Sequence, residues 1–303
     1  MLSDGVVLTD LCSGEVRQDI FTVGNVPSAA LATGSWIIND AGSENNNTIG
    51  TSVVAGTGGK YNLTAGAVKG VAAVSQQISF KSGNCASVPL AITVNPIPSL
   101  SLSDGVVLKH ICAEEVRKDI FTLSNVAPAA LTTDGWIIKD ENSDYNTIGT
   151  SVDAGGADGK YTLKTGKITK DNTVPQQIRF KSGNCVSAPI SITVMRPKAS
   201  GSGPKATGNL CSGVVYKDVL EVSNTLPGAL VSWLIRDIDN NSIGTSITEG
   251  SDGRYTLTAG IVAGRAVRQD IILKSGDCVS YTLLPITVSP IPSLSLSDGG
   301  VLN

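Results

Sequence analysis

The sequence predicts an all-β protein built from three consecutive two-sheet sandwich modules of about 100 residues each. The same phrases recur three times along the 303-residue chain, and short segments alternate apolar and polar residues with the period of a strand. Clusters of glycine, serine and asparagine separate these segments, as turns do. A module of this size can bury its own core, so we expect three separate domains rather than a solenoid.

The repeat is carried by motifs that recur in one order. The first module contains EVRQDIFTV, GSWIIND, NTIGTSV, GKYNLTAG and FKSGNC, and the second contains EVRKDIFTL, DGWIIKD, NTIGTSV, GKYTLKTG and FKSGNC. The third contains the more divergent VVYKDVLEV, VSWLIRD, NSIGTSI, GRYTLTAG and LKSGDC. No stretch of ten or more residues has the 3.6-residue period of an amphipathic helix. About seven short strands with turns between them predict a sandwich in each module.

The strands can be followed in order through one module. The segment DIF and the tryptophan segment SWII predict strands, a Gly-Gly or Asp-Gly turn precedes the GKY strand, and KSGN predicts the turn of the last hairpin. The final strand of module one alternates clearly, with three apolar side chains on one face and two residues on the other. These are Leu90, Ile92 and Val94, against Ala91 and Thr93.

One tryptophan recurs at the same place in every module, as Trp36, Trp136 and Trp233. Isoleucine and leucine flank it, as expected for a strand near the centre of a sheet. We interpret it as a core residue, with a stacking platform for glycans as the alternative.

The phrase LSDGVVL opens the first module and returns at the start of the second, and a close copy stands at 296–302. We therefore expect the chain to be a slice of a longer array. The segment RPKASGSGPKATGN is rich in glycine, serine and proline and predicts a flexible joint. The predicted divisions are repeats at 1–97, 98–196 and 209–292, a linker at 197–208, and the start of a fourth repeat at 293–303.

Six cysteines fall at equivalent positions, two in each module, 73, 73 and 67 positions apart. No Cys-x-x-Cys pattern or partner histidine indicates a metal site, so the pattern predicts one disulfide in each module. Each bridge would stabilise its module by roughly 4 kcal/mol in the loop-entropy model and would imply an extracellular or other oxidising compartment. Six buried free thiols are the alternative. The predicted bridges are Cys12–Cys85, Cys112–Cys185 and Cys211–Cys278.

Composition excludes several function classes. The formal charge is −3 and no lysine or arginine cluster is present, so we expect no nucleic-acid partner. No apolar run approaches the ~20 residues of a membrane span. The single histidine, His110, is replaced by Asp10 and Asn209 in the other modules, and no catalytic motif occurs. We predict a protein that is not an enzyme and needs no cofactor.

Acidic loops follow the tryptophan strands, and oxygen-rich loops of this kind can bind calcium. The candidate ligands are Asp140, Glu141, Asp144, Asp237 and Asp239. Solvated turns stabilised by the same side chains are the alternative.

An aspartate recurs in the DIF strand on the face that should point inward, and a lysine recurs in the FKSG and LKSG motifs. A bulge that turns the aspartate outward is the simplest interpretation. A shielded ion pair and a Lys–Asp isopeptide crosslink are the alternatives. The candidate pairs are Asp19 with Lys81, Asp119 with Lys181 and Asp218 with Lys274.

The openings LCSGEV and LCSGVV and the closings ITVNPIPS and ITVSPIPS resemble the tandem Ig-like and PKD-like repeats of giant surface proteins of Bacteroidota. That group includes gliding-motility adhesins and filaments exported by type IX secretion. The resemblance covers all three modules and implies Ig-like sandwiches in a secreted, cell-surface adhesion protein. The PKD signature Trp-Asp-Phe-Gly-Asp-Gly is absent, and the cysteine positions differ from those of antibody domains.

These observations predict structural repeats in the stalk of a long extracellular fibre or adhesin, used in attachment, motility or contact with prey or host. The expected partners are further repeats of the same protein, identical chains in a filament joined through LSLSDGVVL as an added strand, and an unknown surface ligand. Ligand-binding modules for glycan or protein, and accessory domains of a secreted enzyme, are the alternatives.

Overall fold

The computed structural model describes residues 8, 10–26, 31, 35–43, 46–103, 106–127, 131, 135–154, 159–169, 173–201, 208–250, 252–280 and 283–293. Within these residues the structure has 26 β-strands, as the alternating segments predict. The all-β prediction is confirmed. In the described part of the chain, no helix is long and apolar enough to cross a bilayer.

Repeat 1 forms two sheets. One has the strand order β2-β5-β4, and the other has the order β1-β8-β6-β3 with the short β7 paired to β6. β1 runs parallel to β8, whereas β3, β6 and β8 are antiparallel neighbours. The strands are β1 Leu11–Cys12, β2 Val16–Thr22, β3 Ser35–Asp40, β4 Ser52–Ala55, β5 Lys60–Thr64, β6 Val74–Ser82, β7 Cys85–Ala86 and β8 Leu90–Asn95.

Repeat 2 has the same arrangement with one more strand. Its sheets have the orders β9-β11-β14-β13 and β10-β17-β15-β12, with β16 paired to β15. The strands are β9 Ser99–Leu102, β10 His110–Cys112, β11 Val116–Ser124, β12 Trp136–Asp140, β13 Ser151–Ala154, β14 Lys160–Lys164, β15 Val174–Ser182, β16 Cys185–Val186 and β17 Ile190–Met195.

Repeat 3 follows repeat 2 strand for strand. Its sheets have the orders β18-β20-β23-β22 and β19-β26-β24-β21, with β25 paired to β24. This is the A-B-E-D and G-F-C order of an Ig-like sandwich, which confirms the predicted fold class. The strands are β18 Lys198–Gly201, β19 Gly208–Cys211, β20 Val215–Ser223, β21 Val231–Arg236, β22 Ser246–Glu249, β23 Arg254–Thr258, β24 Val267–Ser275, β25 Cys278–Val279 and β26 Leu284–Ser289.

The period-two patterns place alternate side chains in the core. In β8, Ile92 and Val94 are buried while Ala91 is exposed, as predicted. Trp36 lies against the core of repeat 1, with its ring centroid 5.2 Å from those of Tyr61 and Phe80. The tryptophans of the other repeats make equivalent contacts, which supports the interpretation as core residues.

The predicted linker at 197–208 is ordered at both ends of its length. Lys198–Gly201 forms β18 and pairs with β20, and Gly208 begins β19. A glycine-rich and serine-rich sequence can add a strand because backbone groups supply the pairing. Residues 202–207 and the start of the fourth repeat beyond Ser293 lie outside the described residues.

The chain divides into two compact units. The first comprises Met1–Val107, Val116–Lys164 and Gln177–Ser191; the second comprises Leu108–Glu115, Thr165–Gln176 and Ile192–Asn303. Repeat 2 contributes to both units, so this division does not follow the repeat boundaries. Independent folding of the three repeats stays a prediction.

Candidate functional site: the junctions between repeats

Two disulfides join consecutive repeats. Cys12 of repeat 1 is bonded to Cys185 of repeat 2, and Cys112 of repeat 2 is bonded to Cys278 of repeat 3, with Cα separations of 5.5 and 5.2 Å. In both, the first cysteine of one repeat is paired with the second cysteine of the next. These four cysteines form disulfides, as predicted, but with other partners. The predicted bridges Cys12–Cys85, Cys112–Cys185 and Cys211–Cys278 are wrong.

The register of the parallel strands explains why the predicted bridges do not form. Cys12 lies beside Asn95, at the end of β8, whereas Cys85 precedes the start of β8 at Leu90. Six residues of extended strand span on the order of 17 Å, and a disulfide requires Cα atoms within about 7 Å. The two cysteines of one repeat therefore lie at opposite ends of its sandwich.

The second cysteine of each repeat lies at the tip of a tight hairpin. Cys185 follows the Gly183–Asn184 turn and pairs with Ser182, and Gly183 has a φ of 57°, which favours glycine. Cys185 and Cys278 are buried, at 0% and 1% exposure. The free Cys85, on the equivalent tip in repeat 1, is exposed. Bridging to the preceding repeat thus accompanies burial of this hairpin tip.

The first cysteine of each repeat begins a turn that is fixed by a side-chain acceptor. The backbone N–H of Cys12 donates to Glu15 at 2.8 Å, and that of Cys112 donates to Glu115 at 3.0 Å. In repeat 3 the acceptor is different, since Cys211 N–H donates to the Tyr216 hydroxyl. Cys211 is free and exposed.

An arginine supports the second junction. Arg196 is largely buried, donates to the carbonyl of Ile168 at 2.6 Å, and forms an ion pair with Glu114 at 2.5 Å. Arg196 and Glu114 line a pocket together with Cys112, Asp277, Val279 and Ser280. No repeated sequence pattern marks Arg196, because the equivalent positions, Pro96 and Pro290, carry no charge.

Repeats 2 and 3 each open with a strand that pairs inside the same repeat. β9 pairs antiparallel with β11, matching Leu102 with Phe121 and Ser99 with Ser124. β18 pairs with β20 in the same register. Because Ser99–Leu102 pairs within its own repeat, the addition of LSLSDGVVL to another repeat or to a second chain stays a prediction.

The acidic loops use their carboxylates to hold turns. Asp237 accepts hydrogen bonds from the backbone N–H groups of Asp239, Asn241 and Ser242 and from the Gln269 amide, at 2.9 to 3.0 Å. Burial raises its pKa, but the hydrogen bonds from Gln269, Asp239 and Ser242 oppose this and hold the pKa below its ordinary value. The saturated carboxylate supports the interpretation as a turn-capping residue.

The other predicted calcium ligands make separate contacts. Asp140 accepts a hydrogen bond from the Thr147 hydroxyl, and Asp144 pairs with Lys139 at 2.9 Å. Glu141 is exposed. Among the described residues, no group of three or more His, Cys, Asp or Glu side chains is arranged to bind a metal ion. Calcium binding at these loops stays a prediction.

The recurring aspartate lies on a bulge. Asp19, Asp119 and Asp218 have φ values of 52°, 54° and 52°, and the strand register shifts at each. The bulge carries the side chain away from the core face. No ion pair between these aspartates and Lys81, Lys181 or Lys274 occurs among the described residues. The left-handed conformation supports the bulge interpretation over the alternative of an ion pair.

In repeat 1 the carboxylate of Asp19 has a different partner. It accepts hydrogen bonds from the Thr57 backbone N–H at 2.9 Å and from the Thr57 hydroxyl at 2.6 Å. Thr57 lowers the pKa of Asp19, and the charge of Lys60 contributes. The alternation of the sequence places this residue on the strand but does not reveal the two extra residues of the bulge that turn it outward.

The sequence matches no family model and no curated protein. Solved structures with similar backbones include an I-band fragment of titin, at 8% identity and a TM-score of 0.33, with 94% of this chain and 95% of that chain covered. A Drosophila N-cadherin fragment gives 9% identity and a TM-score of 0.23, covering 94% and 98%. The eight N-terminal Ig domains of Down syndrome cell adhesion molecule give 12% and 0.29, covering 96% and 36%. These TM-scores are too low to carry an argument, so the fold assignment rests on strand order.

Proposed function

We propose that these repeats are the structural stalk of a long extracellular fibre or adhesin that acts in surface attachment, motility or contact with other cells, and that they carry no enzymatic activity. The observation that carries the proposal is the staggered bridging, in which each disulfide joins one repeat to the next. Bridges between repeats limit how far neighbouring repeats can separate, which is what a tether under tension requires.

Three further features support a stalk. The repeats are nearly identical in strand order, so one junction can be reused many times. Repeats 2 and 3 each begin with a strand that directly follows the preceding repeat and pairs with the second sheet strand of its own repeat. Persistent disulfides are formed in oxidising compartments, which supports a cell-surface or secreted location. Further repeats of the same protein and identical chains in a filament are the proposed partners.

The location can be tested on the cells that produce the protein. Antibodies raised against the purified repeats should label extended material outside intact cells in immunogold electron microscopy, and brief protease treatment of intact cells should remove the label. An antibody against a cytoplasmic protein is the control for intact envelopes. Label confined to the cell interior, or to globular particles in the medium, would contradict the stalk.

A further inference from the structure

The two free cysteines occupy the positions that are bridged elsewhere. Cys85 is the second cysteine of repeat 1, equivalent to Cys185 and Cys278, and Cys211 is the first cysteine of repeat 3, equivalent to Cys12 and Cys112. The observed rule joins a first cysteine to the second cysteine of the following repeat. Cys211 and Cys85 are therefore complementary halves of one more bridge of the same kind.

A groove in repeat 1 lies beside Cys85. It has a volume of about 500 Å³ and is lined mainly by apolar groups, including Phe21, Val23, Trp36 and Val88. Val88 is 89% exposed. The groove runs along the free edge of β2, beside which no strand lies among the described residues of the chain.

The other repeats show what covers this edge. In repeat 2 the edge of β11 is paired with β9, and in repeat 3 the edge of β20 is paired with β18. β11 and β20 extend over nine residues, to Ser124 and Ser223, whereas β2 ends at Thr22 after seven. Among the described residues β2 has no such partner, and it is two residues shorter.

The chain contains a second copy of the strand that fills this groove in repeat 2. The residues SLSLSDG of Ser99–Gly105 recur unchanged as Ser293–Gly299, after the same Ile-Pro pair. In β9 the leucines are partly buried and the serines at 99 and 101 are exposed, so the leucines face the sandwich. Transfer of the β9 register predicts that Leu296 pairs with Phe21 and Ser293 with Gly24.

We propose that copies of this chain join head to tail, with Ser293–Ser297 of one copy adding a strand to β2 of the next and Cys211 of the first copy bonding to Cys85 of the second. Both contacts follow the direction of the observed junctions, from one repeat to the repeat after it. Because the interface joins two different surfaces, it leaves both ends of the product open and allows continued growth. The inference deepens the proposed stalk and rests on it only for the biological setting.

Formation of the bridge requires an oxidant, for which a small-molecule disulfide suffices. The Cys211 thiolate attacks one sulfur of that disulfide and expels a thiolate, which gives a mixed disulfide. The Cys85 thiolate then attacks the Cys211 sulfur and expels the second thiolate. The two cysteines lose two electrons and two protons in total, and the reagent ends as two thiols. Strand addition accelerates the second step by holding the sulfurs together.

The test uses the full chain with its two native disulfides intact, incubated in a glutathione redox buffer. We expect a ladder of covalent oligomers on a non-reducing gel, which collapses to monomer with reductant. The variants Cys85→Ser and Cys211→Ser should each remain monomeric alone, and their mixture should give a dimer and nothing larger. Peptide mapping should identify a Cys85–Cys211 bond between copies. Homotypic dimers formed as fast as the mixed dimer, or a bridge closed within one chain, would overturn the proposal.

The added strand is tested separately. The double variant Leu294→Ser and Leu296→Ser should form the mixed dimer at least tenfold more slowly, whereas Ser293→Ala and Ser295→Ala, on the opposite face, should change the rate by less than twofold. Equal rates for both double variants would refute the strand contact. Neither result bears on immunogold labelling, so failure of this joint is distinguishable from failure of the stalk.

Discussion

At the scale of the residue, the disulfide partner of Cys12 follows from the residue that lies beside it in the parallel pair of β1 and β8. Because Cys12 lies beside Asn95, its side chain is at the end of the sandwich where β8 leaves towards the next repeat. The hairpin of that next repeat presents Cys185 at its tip. The sequence contains all six cysteines at equivalent positions, but their spacing cannot distinguish a bridge within a repeat from one between repeats, since the parallel pairing of β1 with β8 is a tertiary feature.

Removing the first bridge should destabilise the chain. The Cys12–Cys185 bridge closes a separation of 173 residues, which corresponds to about 5 kcal/mol in the loop-entropy model. We expect Cys12→Ser with Cys185→Ser to lower the Tm in differential scanning calorimetry by several degrees. The matched control, Cys85→Ser with Cys211→Ser, removes two unbridged thiols and should leave Tm unchanged. A fall of equal size in both variants would contradict the assigned pairing.

The Asp237 carboxylate should make repeat 3 sensitive to acid. Its hydrogen-bond donors lower its pKa in the folded state, so its contribution to stability is present above the unfolded-state pKa of about 3.9 and is lost as the pH falls through the lower folded-state pKa. In a background that carries Trp36→Phe and Trp136→Phe, so that fluorescence reports Trp233 alone, we expect Asp237→Asn to reduce the urea midpoint at pH 7 and to flatten its dependence on pH below about 4.

The neighbouring Asp239 provides the control for that measurement. Its backbone N–H donates to Asp237, but its carboxylate accepts no hydrogen bond from the described residues. Asp239→Asn should therefore keep both the midpoint and the acid dependence of the unmodified chain. If both variants behaved alike, general surface charge rather than the turn contacts would account for the effect.

At the scale of the element, alternation and turn chemistry predict strands well and pairing poorly. The strand β8 and the FKSGNC hairpin are predicted by period two and by a turn that needs a positive φ. The strand β18 is missed because KASG has neither apolar alternation nor branched residues, and its stability comes from backbone pairing with β20. The groove beside β2 is not predicted either, because no sequence pattern marks the edge of a sheet that has no partner strand beside it.

The bulge in β11 predicts a specific tolerance to substitution. Asp119 has a φ of 54°, a left-handed conformation that costs an ordinary residue roughly 1–2 kcal/mol and a β-branched residue more. We expect Asp119→Val to reduce the free energy of unfolding by about 2 kcal/mol, whereas Asp119→Gly and Asp119→Asn stay within about 1 kcal/mol of the unmodified chain. Urea unfolding measures all three. A valine variant as stable as the glycine variant would contradict a left-handed bulge in solution.

At the scale of the whole molecule, the bridges change the covalent path through the chain. Force applied between the ends need not pass through every residue, because the disulfides connect distant segments directly. The shortest covalent path runs through residues 1–12, crosses to Cys185, returns to Cys112, crosses to Cys278 and continues to 303. Intermediate segments can unfold only within loops that the bridges close.

This connectivity predicts the result of pulling single molecules by their two ends. At about 3.4 Å per extended residue, the oxidised chain should stop at roughly a third of its full contour length, and reduction should release roughly 650 Å more. Cys12→Ser with Cys185→Ser should give an intermediate limit, because the path then includes all of residues 1–112. Cys85→Ser with Cys211→Ser should match the unmodified chain. If each bridge instead lay within one repeat, the covalent path would pass through the three repeats in turn. Reduction would then release three segments of similar length, and their sum would differ from the length expected for the observed bridges.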